Sequence, residues 1–271
     1  ESSIFIDMYP GSHVIVDHYG LDFQWENNIN CESMTVIDDL ADRHHKCSLL
    51  IDQSLKNTKL NYENLVDGNF DFMGGNLVIL REEFSDERTW KALSSRKVLI
   101  CMGGADPKSY TKKILENIIL NHKRCSSPQD EIEINVIVGS ACTDYDDLKS
   151  LADTDKLKVS ILFNPENISQ LMLHSELCIL SCGTMILEAC ALGVPSIGLA
   201  VADNQKSTAE FLARSGAIEL YDFNNENDQS IYTVILDFIN NPKRLSLCSK
   251  KLKTMVSSDA TEIIARRLCE S

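Results

Sequence analysis

The apolar positions of this chain fall into short unbroken runs. Each run ends at a glycine or a polar residue and is followed by helix-like spacing. Val98-Leu99-Ile100-Cys101-Met102 runs without interruption into Gly103-Gly104. A run this short, closed by glycine, predicts a strand buried on both faces. Further strands are expected at 132–138, 157–162, 177–180 and 195–201. Between them the spacing predicts helices at 107–120, 145–152, 168–174 and 184–192, and then at 204–215, 231–240, 245–255 and 260–269. Strands alternating with helices imply right-handed crossovers and a parallel sheet covered on both faces. That is a doubly wound, Rossmann-like domain, with its ligand expected at the carboxyl ends of the strands. The first 90 residues carry the same signature more weakly, with strands at 13–17, 34–37 and 49–51 ending in Asp17, Asp38 and Asp52. Three short strands are too few for a complete covered domain. This predicts an incomplete N-terminal domain at 1–91, with further strands supplied upstream or by a partner chain, and a second domain at 92–271. The expected seam is the polar stretch 85–96.

Charge narrows the function. Acidic residues outnumber basic ones 40 to 26, so the net charge is −14. The first 96 residues carry −9 and the remainder −5. Such a balance repels phosphate backbones and anionic headgroups, which argues against nucleic-acid or membrane-surface partners. No apolar run approaches the ~18 residues of a membrane span. The chain starts at Glu1-Ser2-Ser3 with neither a signal peptide nor a basic presequence. Its ten cysteines form no CxxC pair, and Cys101, Cys178 and Cys190 sit in apolar runs as small hydrophobes. A reduced, cytoplasmic protein without a metal site is the expectation.

The candidate chemistry lies at the strand ends. In Gly103-Gly104-Ala105-Asp106-Pro107, glycines between a strand and a helix would let backbone N–H groups approach a phosphate at the helix N-terminus. A plain tight turn would need the same residues. Ser181-Cys182-Gly183-Thr184 makes a second strand–helix junction, where Ser181 and Thr184 either cap the helix or bond a phosphate. Glu188 follows on an otherwise apolar helix. A carboxylate there needs a partner, either a ribose diol or a Lys or Arg. Asp203-Asn204-Gln205 and Phe163-Asn164-Pro165 would face the same rim, the latter wide enough for a base. None of these loops contributes Lys or Arg, so amides and helix dipoles would hold a diphosphate. Neither GxxxxGK[ST] nor GxGxxG occurs.

Together these residues resemble the UDP-sugar hydrolases of pseudaminic acid biosynthesis. That family is related to a spore-coat polysaccharide biosynthesis protein and, more distantly, to the UDP-N-acetylglucosamine transferase of peptidoglycan synthesis. The segments that carry the likeness are IVDHYGLD (15–22), VIDDLADRHHKCSLLIDQ (36–53), LREEF (80–84), ICMGGADP (100–107), PENISQLM (165–172), SCGTMILEACALGVPSI (181–197) and ADNQKSTAEFLARSGA (202–217). The resemblance implies a two-domain GT-B fold. It implies hydrolysis of UDP-2,4-diacetamido-2,4,6-trideoxy-β-L-altropyranose by water attack at the anomeric carbon, without a cofactor. Gly103, Gly104, Ser181 and Thr184 would surround the diphosphate, Glu188 would hold the ribose, Asn204 and Gln205 would line the nucleotide–sugar side, and Asp106, Phe163, Asn164 and Gly183 would complete the UDP-binding set. Tyr19, with Asp17 and His18, would face the sugar. The family's GxGHxxR loop, whose His is the expected base, is not found in these 271 residues. It is expected upstream, with His18 the alternative base. The competing readings are a glycosyltransferase of the same fold and a non-catalytic UDP-sugar-binding subunit.

Overall fold

The computed structural model describes residues 11–85, 89–93, 95–125, 131–153, 157–223 and 229–270. The chain forms two compact units, Glu1–Leu80 with Met255–Ser271, and Arg81–Thr254.

The first unit is built on β1 (His13–Asp17), β2 (Ser33–Asp38), β3 (Leu49–Asp52) and β4 (Asp71–Met73), with short helices α1 (Phe23–Glu26) and α2 (Lys59–Tyr62). The four strands pair in sequence order, and every pairing is parallel. Successive side chains of a strand point to opposite faces. Leu50 therefore packs with Val16, Val36, Tyr62 and Phe70 on one face. Leu49 and Ile51 meet Ile264 on the other. Both faces are thus buried at β3, which is why its sequence reads as an unbroken apolar run. Ile264 belongs to α10 (Ala260–Cys269), the last helix of the chain. Thr261 ties that helix to Leu80, accepting from its N–H at 2.8 Å and donating to its carbonyl at 3.2 Å. Residues 255–271 thereby belong with the first unit, where the sequence reading put them with the second. Helix periodicity shows that α10 has an apolar stripe and does not say which sheet it covers.

The second unit alternates strand and helix throughout: β5 (Lys97–Cys101), α3 (Tyr110–Cys125), β6 (Glu133–Val138), α4 (Tyr145–Ala152), β7 (Lys158–Phe163), α5 (Ile168–Leu173), β8 (Leu177–Ser181), α6 (Thr184–Leu192), β9 (Ser196–Leu199), α7 (Lys206–Arg214), β10 (Glu219–Leu220), α8 (Ile231–Ile239) and α9 (Pro242–Leu252). Its six parallel strands lie in the order β10-β9-β8-β5-β6-β7. The chain moves outward from β5 to β7, returns to place β8 beside β5, and then moves outward the other way. The strand order reverses between β5 and β8, and an open parallel sheet has its crevice at the carboxyl ends of such a pair. The central strands are apolar and buried, with Leu99, Ile100, Cys178 and Ile179 fully covered. Among the described residues no helix is long and apolar enough to cross a membrane.

Candidate functional site

A cavity of about 660 Å³ opens at this reversal point. Its size falls within the ~300–1,000 Å³ usual for small-molecule sites. Gly103 and Gly104 after β5, Gly139 after β6, Asn164 after β7, Ser181 and Gly183 after β8, and Asn204 and Gln205 after β9 all line it. The glycines make this geometry possible. Gly103 has φ +92°, a conformation that L side chains rarely adopt. A Cβ on Gly139 would lie 2.4 Å from the Gly104 carbonyl oxygen, so only glycine lets the two loops cross. A Cβ on Gly183 would come within 3.1 Å of the Gln205 amide nitrogen. Gln205 is held there because its Oε1 accepts from the Val201 N–H at 3.1 Å.

α6 points its N-terminus at this cavity. Its N-cap is Gly183, which brings no side chain to cap the helix. The N–H groups of its first turn and the positive end of its dipole therefore lie at the cavity, which Gly183 and Thr184 line. At its other end Gly193, with φ +69°, closes the helix, and the Val194 N–H bonds back to the Ala189 carbonyl. The helix is buried nearly all round, so its position is fixed by packing.

Glu188 lies on this helix, lines the cavity and is 1% exposed. Its carboxylate is met by Arg81, which donates from Nε to Oε1 at 2.8 Å and from Nη2 to Oε2 at 3.1 Å. Arg81 also lines the cavity. The cavity thus includes a cation, contributed from outside the strand-end loops by a residue far away in the chain, and of the partners the sequence left open for Glu188 the structure supplies an arginine. Burial holds the Glu188 carboxyl above the usual carboxylate range, and Arg81 opposes that rise.

Of the remaining residues Phe163 departs from expectation, and Asp106 has a second role. Phe163 is not among the residues lining the cavity; it is 53% exposed and packs its ring edge against Tyr145. It is the last residue of β7, and strand alternation turns it away. Asp106 lines the cavity, but both its carboxylate oxygens are taken by the N–H groups of Tyr110 and Thr111, at 2.9 and 2.7 Å. It caps α3, which starts three residues beyond Pro107. Gly103, Gly104, Asn164, Ser181, Gly183, Thr184, Glu188, Asn204 and Gln205 are brought together as the sequence implied.

The first unit's strand ends look different. Asp17, His18, Tyr19, Asp38, Asp39 and Gln53 enclose a cavity of only about 60 Å³. Tyr19 donates to Asp39 Oδ2 at 3.1 Å. His18 Nδ1 accepts the Gly20 N–H at 3.0 Å. His45, which reads as part of a polar segment, is in fact 1% exposed and pairs through Nδ1 with the buried Glu26 at 2.7 Å. Neither residue announces this in sequence, since they lie 19 positions apart. Among the described residues no cluster of three or more His, Cys, Asp or Glu could hold a metal.

The sequence pattern of the glycosyltransferase family 28 C-terminal domain matches residues 91–264. The chain is 28% identical over 207 residues to the UDP-2,4-diacetamido-2,4,6-trideoxy-β-L-altropyranose hydrolase of Campylobacter jejuni, covering 75% of this chain and 71% of that protein. It is 29% identical over 202 residues to an uncharacterized protein of Methanocaldococcus jannaschii, covering 69% of this chain but only 40% of the relative. Among solved structures, Acinetobacter baumannii MurG superposes with a TM-score of 0.63 at 14% identity, over the whole of this chain and 76% of that one. Spinosyn rhamnosyltransferase SpnG complexed with thymidine diphosphate gives a TM-score of 0.58 at 16% identity, over 88% of this chain and 67% of the other. These likenesses establish an α/β fold of the GT-B type.

Proposed function

The chain belongs to the family of glycosyltransferase family 28 C-terminal domains, and we propose that it binds a UDP-sugar in the cavity of its second unit and serves its hydrolysis to UDP and free sugar. The observation that carries the nucleotide reading is the rim itself. Glycines let three loops approach closely, and an N-terminus without a side-chain cap points into the space between them. A diphosphate is bound by that combination of backbone N–H groups and helix dipole. The apolar wall of Ile137, Val138, Pro165 and Ile168 suits the face of a base. Glu188 offers carboxylate oxygens to a ribose diol. The hydrolase reading is favoured by the likeness to the Campylobacter protein.

In that reaction the water oxygen bonds to the anomeric carbon while the bond from that carbon to the β-phosphate oxygen breaks. UDP departs with the electron pair, a base takes the water proton, and configuration inverts. Helix α6 and the glycine loops stabilise the negative charge that grows on the leaving diphosphate.

A glycosyltransferase reading is favoured by the family's name and by the solved neighbours. Incubation with the UDP-sugar and no acceptor separates the two. Release of UDP and free sugar together supports hydrolysis. Turnover that requires an added acceptor supports transfer, and UDP binding without turnover supports a binding subunit.

A further inference from the structure

We infer that Arg81 is a positioning residue of the nucleotide site, holding the Glu188 carboxylate ionised and aimed at the ribose diol. The inference rests on the nucleotide reading above and concerns a residue to which that reading gives no part.

The geometry is two-pronged. Arg81 Nε and Nη2 each meet a different oxygen of Glu188, at 2.8 and 3.1 Å. Such a fork fixes the carboxylate plane as well as its charge. It also leaves the site usable. An ionised carboxylate has about four acceptor positions, and the fork occupies two. One position on each oxygen remains, which matches the two hydroxyls of a ribose.

Arg81 is itself braced. Its Nη1 contacts Glu83 Oε1 at 3.0 Å, and the guanidinium lies 4.8 Å from the centre of the Phe84 ring. Glu83 in turn accepts the Ser169 N–H at 2.9 Å, at the start of α5. The guanidinium is therefore held on the Glu188 side by contacts independent of any ligand. A fork merely neutralising a buried acid would not need this support, whereas one setting a binding geometry gains from it.

The charge argument runs the same way. Glu188 is 1% exposed, so burial favours its neutral form, which would offer the diol a weaker acceptor. The groups facing it are Arg81, Glu83 and the Cys101 thiol. Glu83 raises the carboxyl further. Burial pushes Cys101 up to about 11, so it stays neutral. Arg81 alone of these groups favours the anion.

The test measures binding of UDP and of 2′,3′-dideoxy-UDP to the full chain across pH 5 to 8. The variants are Arg81→Gln, Arg81→Lys, Glu188→Gln and the double Arg81→Gln/Glu188→Gln. Arg81→Gln should weaken UDP about ten- to a hundredfold at pH 7, the range for a lost charge-assisted hydrogen bond. Its binding of dideoxy-UDP should match that of the unaltered chain. Its loss of UDP binding on acidification should begin at higher pH than in the unaltered chain. Arg81→Lys, with charge but no fork, should fall between the two. In the Glu188→Gln background, Arg81→Gln should add little. Equal weakening of UDP and dideoxy-UDP would make Arg81 a phosphate ligand and overturn the inference. So would unchanged UDP affinity or coincident pH profiles. Should Arg81→Gln fail to fold, Arg81→Lys carries the same ligand comparison. If the unaltered chain binds no UDP at all, the nucleotide reading fails and this inference with it; if it binds and the variants do not discriminate, the inference alone fails.

Discussion

The two units present the same structural edge, the carboxyl ends of a parallel sheet, and finish it in opposite ways. In the second unit the strands run into Gly103-Gly104, Gly139 and Ser181-Cys182-Gly183, and a cavity of about 660 Å³ remains open. In the first unit they end on Asp17, Asp38 and Asp52, and the space shrinks to about 60 Å³. Two of these aspartates, Asp38 and Asp52, bond their own loops. Asp38 accepts the N–H groups of Leu40 and Ala41 and pairs with Arg43. Asp52 accepts the Ser54 N–H at 2.7 Å and the Asn57 side-chain amide at 2.8 Å. The Tyr62 hydroxyl reaches both carboxylates. Burial, with Asp52 next in weight, drives that phenol well above its ordinary range, so it stays a donor. The same topology thus keeps an open crevice where glycines follow the strands, and a nearly closed one where Asp38 and Asp52 bond the loops that follow them.

The largest effect should come from breaking the closed rim. Asp52→Ala strands the Ser54 N–H and the Asn57 amide in a buried setting, and should cost the first unit about 3–5 kcal/mol. Asp52→Asn, which keeps an acceptor, should cost less. Denaturant melts followed at each unit would check both. UDP binding by the second unit should persist in whatever fraction remains folded.

Closing the open rim comes next. Gly139→Ala would drive a methyl into the Gly104 backbone, which must move. A loss of about 1–3 kcal/mol in stability is expected from such overpacking. If this loop holds the diphosphate as proposed, UDP affinity should drop about five- to a hundredfold, the factor equivalent to that loss. Ligand titration beside a thermal melt separates the two losses.

Much of the second unit was legible because its elements are long and strongly patterned. Its helices at Tyr145–Ala152 and Thr184–Leu192 begin and end where the spacing placed them, as does the first unit's Ala260–Cys269. The short elements α1, α2, β4 and β10 were not foreseen. They span two to four residues, too few to show a period, and β4 exists through its pairing with β3. The site followed the same division. Glycine junctions are local features and could be read. The Arg81 fork joins residues 107 positions apart, and the buried Glu26–His45 pair forms only when their loops meet. Asp106 lines the cavity and also caps a helix, two uses of one carboxylate that a strand-end position does not distinguish.

A smaller effect is expected from pH. The Glu188 carboxyl lies above its ordinary range. The folded unit therefore holds that proton more tightly than the unfolded chain. This contribution to stability is present below the ordinary carboxylate range and is lost as pH rises through the raised value. Ribose binding requires the anion and has the opposite sign, so UDP affinity should weaken as pH falls through that window. By the limit of one proton per site, the slope cannot exceed about tenfold per pH unit. Calorimetric titration at several pH values reads it directly.

The smallest effect should be that of Ser181→Ala. Ser181 is buried and lines the cavity beside Gly103. Loss of one hydroxyl donor, with the backbone donors of the rim retained, should reduce UDP affinity about two- to tenfold, with little change in melting.

The contrast between an open and a closed rim is tested most directly by amide hydrogen exchange of the full chain, with and without saturating UDP, in the presence of a chelator. UDP should slow exchange at residues 102–106 and 181–185 and leave residues 38–54 unchanged. Protection confined to 38–54, or none anywhere at saturating UDP, would contradict the assignment of the nucleotide to the glycine-ended strands.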